Sequence, residues 1–507
     1  MIPGVSKRPV FAAALAVAAI AAINFLYGLG APARPLWDEN YYLTTVQRYH
    51  EGRAQFASHP PLGLLLIAAG DTLLGSNRAL DTEAVGRKKD VRGESLPANY
   101  DFRGIRIASG SCAVVGAVLF FLLMLELSRR LGVALLLTNV YVFDNAFVAH
   151  FRAAHLDSFQ VTFALAAMLC FVIGARRRGD EASWADFALG LACGLSAMVK
   201  LNAAVFGLLG AMLIVRRWHA GLRFDPVPVR LFLAARDGLI MATGCALAIV
   251  GVLTAHLAVG SQPPDNRGTA GQKDERFMSA TYRSYLAGEQ SLSPMLVVAV
   301  ADDYLHYIRA DFKGIVRTDR NGSLPLQWMV GQRTINYRWD FDGKRTAYVQ
   351  LLSNPVSWGM ALLAVAASLW MLVSQLWRPA SMQPARRDLM AMLLLLYVVL
   401  MAIHAYLGRS RVMYLYHYFL ALLPAYCLLP LVIDEAADRW QLFRRYQVPA
   451  LTGVTVLLLA SFLFYAPLTF HQKLTRQQCE LRNVFQQVVV CQPVARGLAP
   501  EAKRPVG

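Results

Sequence analysis

The sequence predicts an all-α polytopic membrane protein. Of its 507 residues, 56% are hydrophobic, and the mean hydropathy is +0.39. Blocks of roughly 20 apolar residues recur along the chain, the length a helix needs to cross ~30 Å of hydrocarbon. Soluble domains average about 45–50% apolar and spread those residues at helical or strand period rather than massing them.

Taken in order, the blocks give eleven spans, at 9–30, 105–126, 132–148, 156–175, 184–199, 201–217, 232–258, 356–377, 388–407, 411–433 and 449–470. The first follows Lys7 and Arg8, as a signal peptide's apolar region would. It is too long for such a region and lacks a small-x-small cleavage site, so it is expected to be retained. The net charge of +17 does not point to nucleic acid. The basic residues sit in short clusters between blocks: Arg129-Arg130, Arg176-Arg177-Arg178, Arg216-Arg217, Arg386-Arg387 and Arg444-Arg445. This is positive-inside patterning, and with the N-terminus inside every cluster falls on the cytoplasmic side. The outer face then receives loop 31–104, the turns near 149–155, Lys200 and Arg409–Arg411, loop 259–355 and the tail after 471. The chain divides accordingly into a module at 1–258, the long loop 259–355, the helices of 356–470 and the tail 471–507. Seven cysteines include no CxxC, which argues against structural zinc, while Cys479 and Cys491 could pair in an oxidising compartment.

Within the first outer loop, Tyr42, Val46, Tyr49 and Phe56 come near one helical face, which suits a short interfacial helix. Residues 62–74 are apolar but too few to span, so they read as a re-entrant or surface-lying helix. The loop 259–355 carries Pro263-Pro264, Gly268, Gly271 and Gly322 among scattered aromatic residues, and is too long for a linker. It should fold over the outer face.

Ionisable residues at a hydrocarbon boundary are expensive to place and mark candidate function. Asp38 and Glu39 follow the first span, where a carboxylate could act as general base toward an acceptor hydroxyl. His59, Pro60 and Pro61 turn the chain back to the interface beside them. In "VFDNAFVAHFRAAHLDSF", Asp144, Arg152 and Asp157 occur where two spans meet with almost no loop. Arg152 could equally pair with Asp157 and stitch the turn. Arg106 enters the second span, where an arginine ordinarily snorkels. Lys200 is a lone cation on the face opposite the basic clusters, and Arg409, Arg411, His417 and Tyr418 enter the tenth span. Carboxylates with several cations at one face suit a hydroxyl that must lose a proton and a phosphate whose tail stays in the bilayer. A lipid-linked phosphosugar has that form. His59, Asp38 and Glu39 could also hold a divalent ion, although their spacing is not diagnostic, and the sequence points to no other cofactor.

With these residues in view, the chain resembles the protein O-mannosyltransferase family, membrane enzymes of the GT-C glycosyltransferase class. The landmarks run in order along most of the chain: "WDENYY" at Asp38-Glu39, "HPPLG" at His59–Gly63, Tyr100 with Arg106, "FDNAFVAHFRAAHLDS", Lys200, Asn354-Pro355 with Trp358, and "YHYFLALLP". Leu64 stands where the family box has lysine. The resemblance implies a GT-C fold and inverting transfer of mannose from a polyprenyl phosphate to Ser or Thr of a polypeptide. It implies Asp38 and Glu39 as catalytic residues, with His59, Pro60 and Pro61 on the acceptor side. Arg106, Arg152, Asp157, Lys200, Arg411, His417 and Tyr418 become donor-phosphate candidates. Eukaryotic members carry a β-trefoil MIR domain that ~95 residues of loop cannot hold. A bacterial enzyme of the inner membrane, its site facing the periplasm, is therefore expected. The nearest alternative is a GT-C transferase moving another sugar, such as aminoarabinose, to a glycolipid. A flippase or transporter would show repeats and midplane charges, and neither is seen.

Overall fold

The computed structural model describes residues 7–91, 95–177, 180–222, 224–315, 318–378, 381–484, 489 and 491. Arg178 and the tail from 492 onward lie outside them.

The chain begins with α1 (Lys7–Leu26), an apolar helix whose outward residues stay uncovered and whose inner stripe packs on a later span. Three elements of the first outer loop follow: α2 (Glu39–His50), α3 (Leu62–Leu74) and the short α4 (Glu83–Gly86). The expected interfacial helix is thus present but shorter, and protein covers it. Tyr42, Val46 and Tyr49 are buried against α3 and α4, while Phe56 lies beyond the helix end. Gly52, at φ 67°, takes a left-handed turn there, and Phe56 joins the rings of Tyr282, Tyr304 and Tyr307. The apolar segment 62–74 is a 13-residue helix, as read, stopped by Gly75 in the left-handed conformation.

The membrane bundle continues with α5 (Arg103–Ser128), α6 (Leu131–Val142), α7 (Asn145–Phe151), α8 (Asp157–Arg176), α9 (Asp180–Ala197), α10 (Gly207–Gly221) and α11 (Val227–Val259). The third expected span is broken: α6 and α7 meet at a 58° bend. Asp144 at the break accepts hydrogen bonds from the amides of Ala146 and Phe147, capping α7 so that the chain can restart. Beyond α11 the long loop folds as α12 (Thr269–Phe277), α13 (Ala280–Leu286), α14 (Pro294–Lys313), α15 (Pro325–Trp328) and the hairpin β1 (Ile335–Phe341) with β2 (Thr346–Leu351). The strands are antiparallel, and their register shifts between Asn336 and Arg338, which leaves Tyr337 as the extra residue of a β-bulge.

The remaining helices are α16 (Pro355–Val373), α17 (Pro384–Leu407), α18 (Phe419–Arg439), α19 (Gln441–Thr469) and α20 (Arg476–Glu480), with β3 (Lys473–Leu474) pairing to β2. α18 is the axis of this half, almost wholly buried and packed by α5, α16, α17 and α19. Among the described residues, nine helices are long and apolar enough to cross a membrane, and the bent α6–α7 pair makes ten. The expected span at 184–199 is α9, 18 residues long but with three acidic residues in its first half. A disulfide joins Cys479 to Cys491.

The basic clusters meet at the bundle end opposite the first outer loop, where acids answer them. Arg130 pairs with Asp434, Arg386 with Glu435 and Asp438, and Arg217 with Asp186 and Asp237. The FDN and NP landmarks turn out to be one staple. Asp144 accepts from Ser357 Oγ at 2.6 Å and Trp358 Nε1 at 2.8 Å, while Asn354 Nδ2 donates to the carbonyls of Phe143 and Leu458. Both motifs therefore hold the bent span against α16 and α19.

Candidate active site

The adjacent acids part company. Glu39 is fully buried, and its Oε1 accepts from Arg106 Nε at 2.8 Å and from the Ala154 amide at 2.7 Å. Its Oε2 accepts from Arg106 Nη2 and from the Leu36 amide, both at 2.8 Å. Arg106 gives its other donors to the carbonyls of Leu29, Pro32 and Arg34. All five guanidinium N–H groups are thereby used, which leaves none for a donor phosphate and leaves Glu39 no lone pair facing a substrate. Sequence reading put these two in the chemistry; in the fold they staple the 29–36 segment to α5 and to the turn between α7 and α8.

Asp38 is the opposite case. Its carboxylate has no hydrogen-bond partner among the described residues and remains partly exposed. Desolvation pushes its pKa up to about 6, against the pull of Lys200 and with a push from Asp157. Trp37, just before it, sits at φ +48°, a left-handed conformation that is strained for a bulky residue. Its ring is wedged against Tyr337 and Tyr414, both 5.5 Å away between centroids, and these contacts hold it there.

Facing Asp38 is a buried polar chain. Lys200 Nζ lies 2.7 Å from Asp157 Oδ2, and His150 Nε2 lies 2.9 Å from the same oxygen. On its other side His150 Nδ1 is 2.5 Å from the Tyr337 hydroxyl. His155 lies against His150, their rings tilted and 4.2 Å apart between centroids, and reaches the Leu36 carbonyl at 3.3 Å, tying this chain to the segment that carries Asp38. Lys200 Nζ also sits 5.4 Å above the Tyr416 ring. Arg152 does not pair with Asp157 and does not enter this group. Its guanidinium caps the C-terminal end of α1, donating to the carbonyls of Asn24, Tyr27 and Gly28, and lies over Phe470.

The HPPLG box seats the Lys200 turn. The Leu62 amide donates to the Met198 carbonyl at 3.1 Å, and a Cβ on Gly63 would come within 2.7 Å of Leu156 Cδ2, so a larger residue here would have to displace the Leu156 side chain at the start of α8. Pro60 and Pro61 are buried at this joint. His59 is held neutral: desolvation lowers its pKa to about 3, and the charges of Lys200 and Arg411 act in the same direction. Arg411 lies 5.1 Å over the Phe312 ring, and its buried Nε has no partner. It forms no ion pair among the described residues. His417 Nδ1 lies 3.1 Å from the Tyr414 amide, its ring stacked on Tyr416 and Trp328. Tyr418 points into the bundle, 3.3 Å from the Tyr397 hydroxyl, and not toward Lys200.

The structure thus gathers Asp38, His59, Asp157, Lys200 and Arg411 at one end of the bundle and commits Glu39, Arg106, Arg152 and Tyr418 elsewhere. Among the described residues no group of three or more His, Cys, Asp or Glu is close enough to hold a metal ion. Sequence reading passed over His150, His155 and Tyr337. The histidines were visible as two polar rings flanking Arg152 in an apolar stretch, whereas nothing local marked Tyr337.

The chain matches the family model described as dolichyl-phosphate-mannose-protein mannosyltransferase over residues 15–233. It also matches the C-terminal four-transmembrane region of protein-O-mannosyltransferase over 308–488. A polyprenol-phosphate-mannose–protein mannosyltransferase of Mycolicibacterium smegmatis is 24% identical over 403 residues, 70% of either chain. Protein O-mannosyl-transferase 2 of Danio rerio is 26% identical over 209 residues, which span 41% of this chain and 26% of that protein. The S. cerevisiae Pmt1-Pmt2 complex bound to the sugar donor shares the fold, with TM-score 0.75 at 14% identity over 95% of this chain and 93% of that one.

Proposed function

The chain belongs to the protein O-mannosyltransferase family, and from that premise we propose that it moves mannose from a polyprenyl phosphate to Ser or Thr hydroxyls of polypeptides. The reading places it in a bacterial inner membrane with this site facing the periplasm. One observation carries it: an unpartnered carboxylate, Asp38, with a pKa raised to about 6, stands in the field of a buried lysine at a lipid boundary.

In this mechanism Asp38 accepts the proton of the acceptor hydroxyl, a role suited to a base with a pKa near the working pH. The hydroxyl oxygen bonds to the anomeric carbon from the face opposite the phosphate. The bond from that carbon to the phosphate oxygen breaks, and the phosphate departs with the electron pair. Charge grows on that oxygen as the sugar becomes oxocarbenium-like, and fixed cations lower the barrier there. Lys200 and Arg411 supply them, and His59, neutral, stands at the acceptor side. The polyprenyl tail stays among the helices. The names of the relatives favour mannose and protein over aminoarabinose and glycolipid. Mass spectrometry of secreted proteins from cells with and without the chain tests the reading: hexose on Ser or Thr that disappears with the gene supports it, and identical spectra overturn it.

A further inference from the structure

We propose that His150 and Tyr337 are positioning residues that hold Lys200 ready for the donor phosphate; this rests on the transferase reading above. The donors and acceptors impose one polarity. Asp157 Oδ2 accepts from Lys200 Nζ at 2.7 Å, so the His150 Nε2 at 2.9 Å from the same oxygen must carry hydrogen. In the neutral ring Nδ1 is then an acceptor, and the Tyr337 hydroxyl donates to it. The chain reads Tyr337 to His150 to Asp157, with Lys200 closing it from the other side, and each member is at least nine-tenths buried.

Two consequences follow. By donating to Asp157, His150 takes part of that carboxylate's charge and loosens its hold on Lys200, so that the ammonium can turn toward an arriving phosphate. Tyr337 selects the tautomer that makes this donation. It is the bulged residue of β1, and a bulge is what redirects a strand side chain out of the alternating pattern. The long outer loop thus reaches the donor cation through three hydrogen bonds, without touching the substrate.

The test uses the full-length enzyme in lipid nanodiscs, with initial rates measured against polyprenyl-phosphate mannose and against a Ser/Thr peptide. Tyr337→Phe is expected to raise the donor KM about tenfold while leaving the peptide KM unchanged, the size of one lost hydrogen bond to a charged network. His150→Ala should do the same or more. His150→Gln should recover most of the loss, because its amide can donate to Asp157 while its carbonyl accepts from Tyr337. Added to His150→Ala, Tyr337→Phe should have no further effect. Donor and peptide KM rising equally, an unchanged donor KM, no rescue by glutamine, or additive losses would each overturn the relay. A parent enzyme that ignores mannosyl donor but turns over another polyprenyl-phosphate sugar would refute the mannose assignment alone, and the same constants taken with that sugar would still judge the relay.

Discussion

Asp38→Asn separates function from stability. Folding raises the Asp38 pKa from 3.8 to about 6, a change of about 2 units. At about 1.36 kcal/mol per unit, holding this carboxylate ionised costs the folded state up to about 3 kcal/mol. The unfolded carboxylate ionises first as pH rises, so the penalty builds between about pH 4 and pH 6, is complete above that window and vanishes below it. Asparagine keeps the shape and removes the charge. The variant should therefore unfold several degrees higher than the parent at pH 7.5, and at the same temperature at pH 4, in detergent melts followed by tryptophan fluorescence. Its transfer rate should fall by about 10²–10⁴, the usual contribution of a general base. The parent's rate should rise through a pKa near 6, and the variant's residual rate should not. A variant with parental turnover would refute the base assignment, and one less stable than the parent at pH 7.5 would refute the electrostatic account.

Glu39→Ala and Arg106→Ala each strand a buried charge and should cost about 3–5 kcal/mol, seen as loss of monodisperse protein on size exclusion. An Arg106→Ala protein that folds normally but fails to bind donor would return Arg106 to the phosphate site. Arg411→Ala should raise the donor KM about tenfold with little change in peptide KM, and an unchanged donor KM would remove it from the phosphate. Gly190→Ala drives a Cβ into the Met241 backbone of α11, which cannot step aside as a side chain can, and should destabilise by about 1–3 kcal/mol, so an unaltered melting temperature would contradict the close packing of α9 on α11. A reporter active only in the periplasm, fused after residue 471, should be active; silence would shift the membrane topology by one span.

The helices could be read because hydropathy is additive along the chain: each apolar block meets the length criterion by its own residues, whatever its neighbours do. The 13-residue α3, the α6–α7 region and the basic clusters were legible for the same reason. The acid pair was visible, but its division of labour was not. Glu39 is committed because Arg106, 67 residues on, and the Ala154 amide, 115 residues on, hydrogen-bond its carboxylate together with the Leu36 amide. Asp38 is free because no such partners reach it.

The sequence alone determined the class of the protein, which of its loops carry ionisable residues, and the family landmarks. Tertiary structure decided which of those residues are available for chemistry. Availability depends on donors and acceptors brought in from distant segments, and a side chain whose hydrogen-bonding capacity is already filled by its own protein has none left for a substrate.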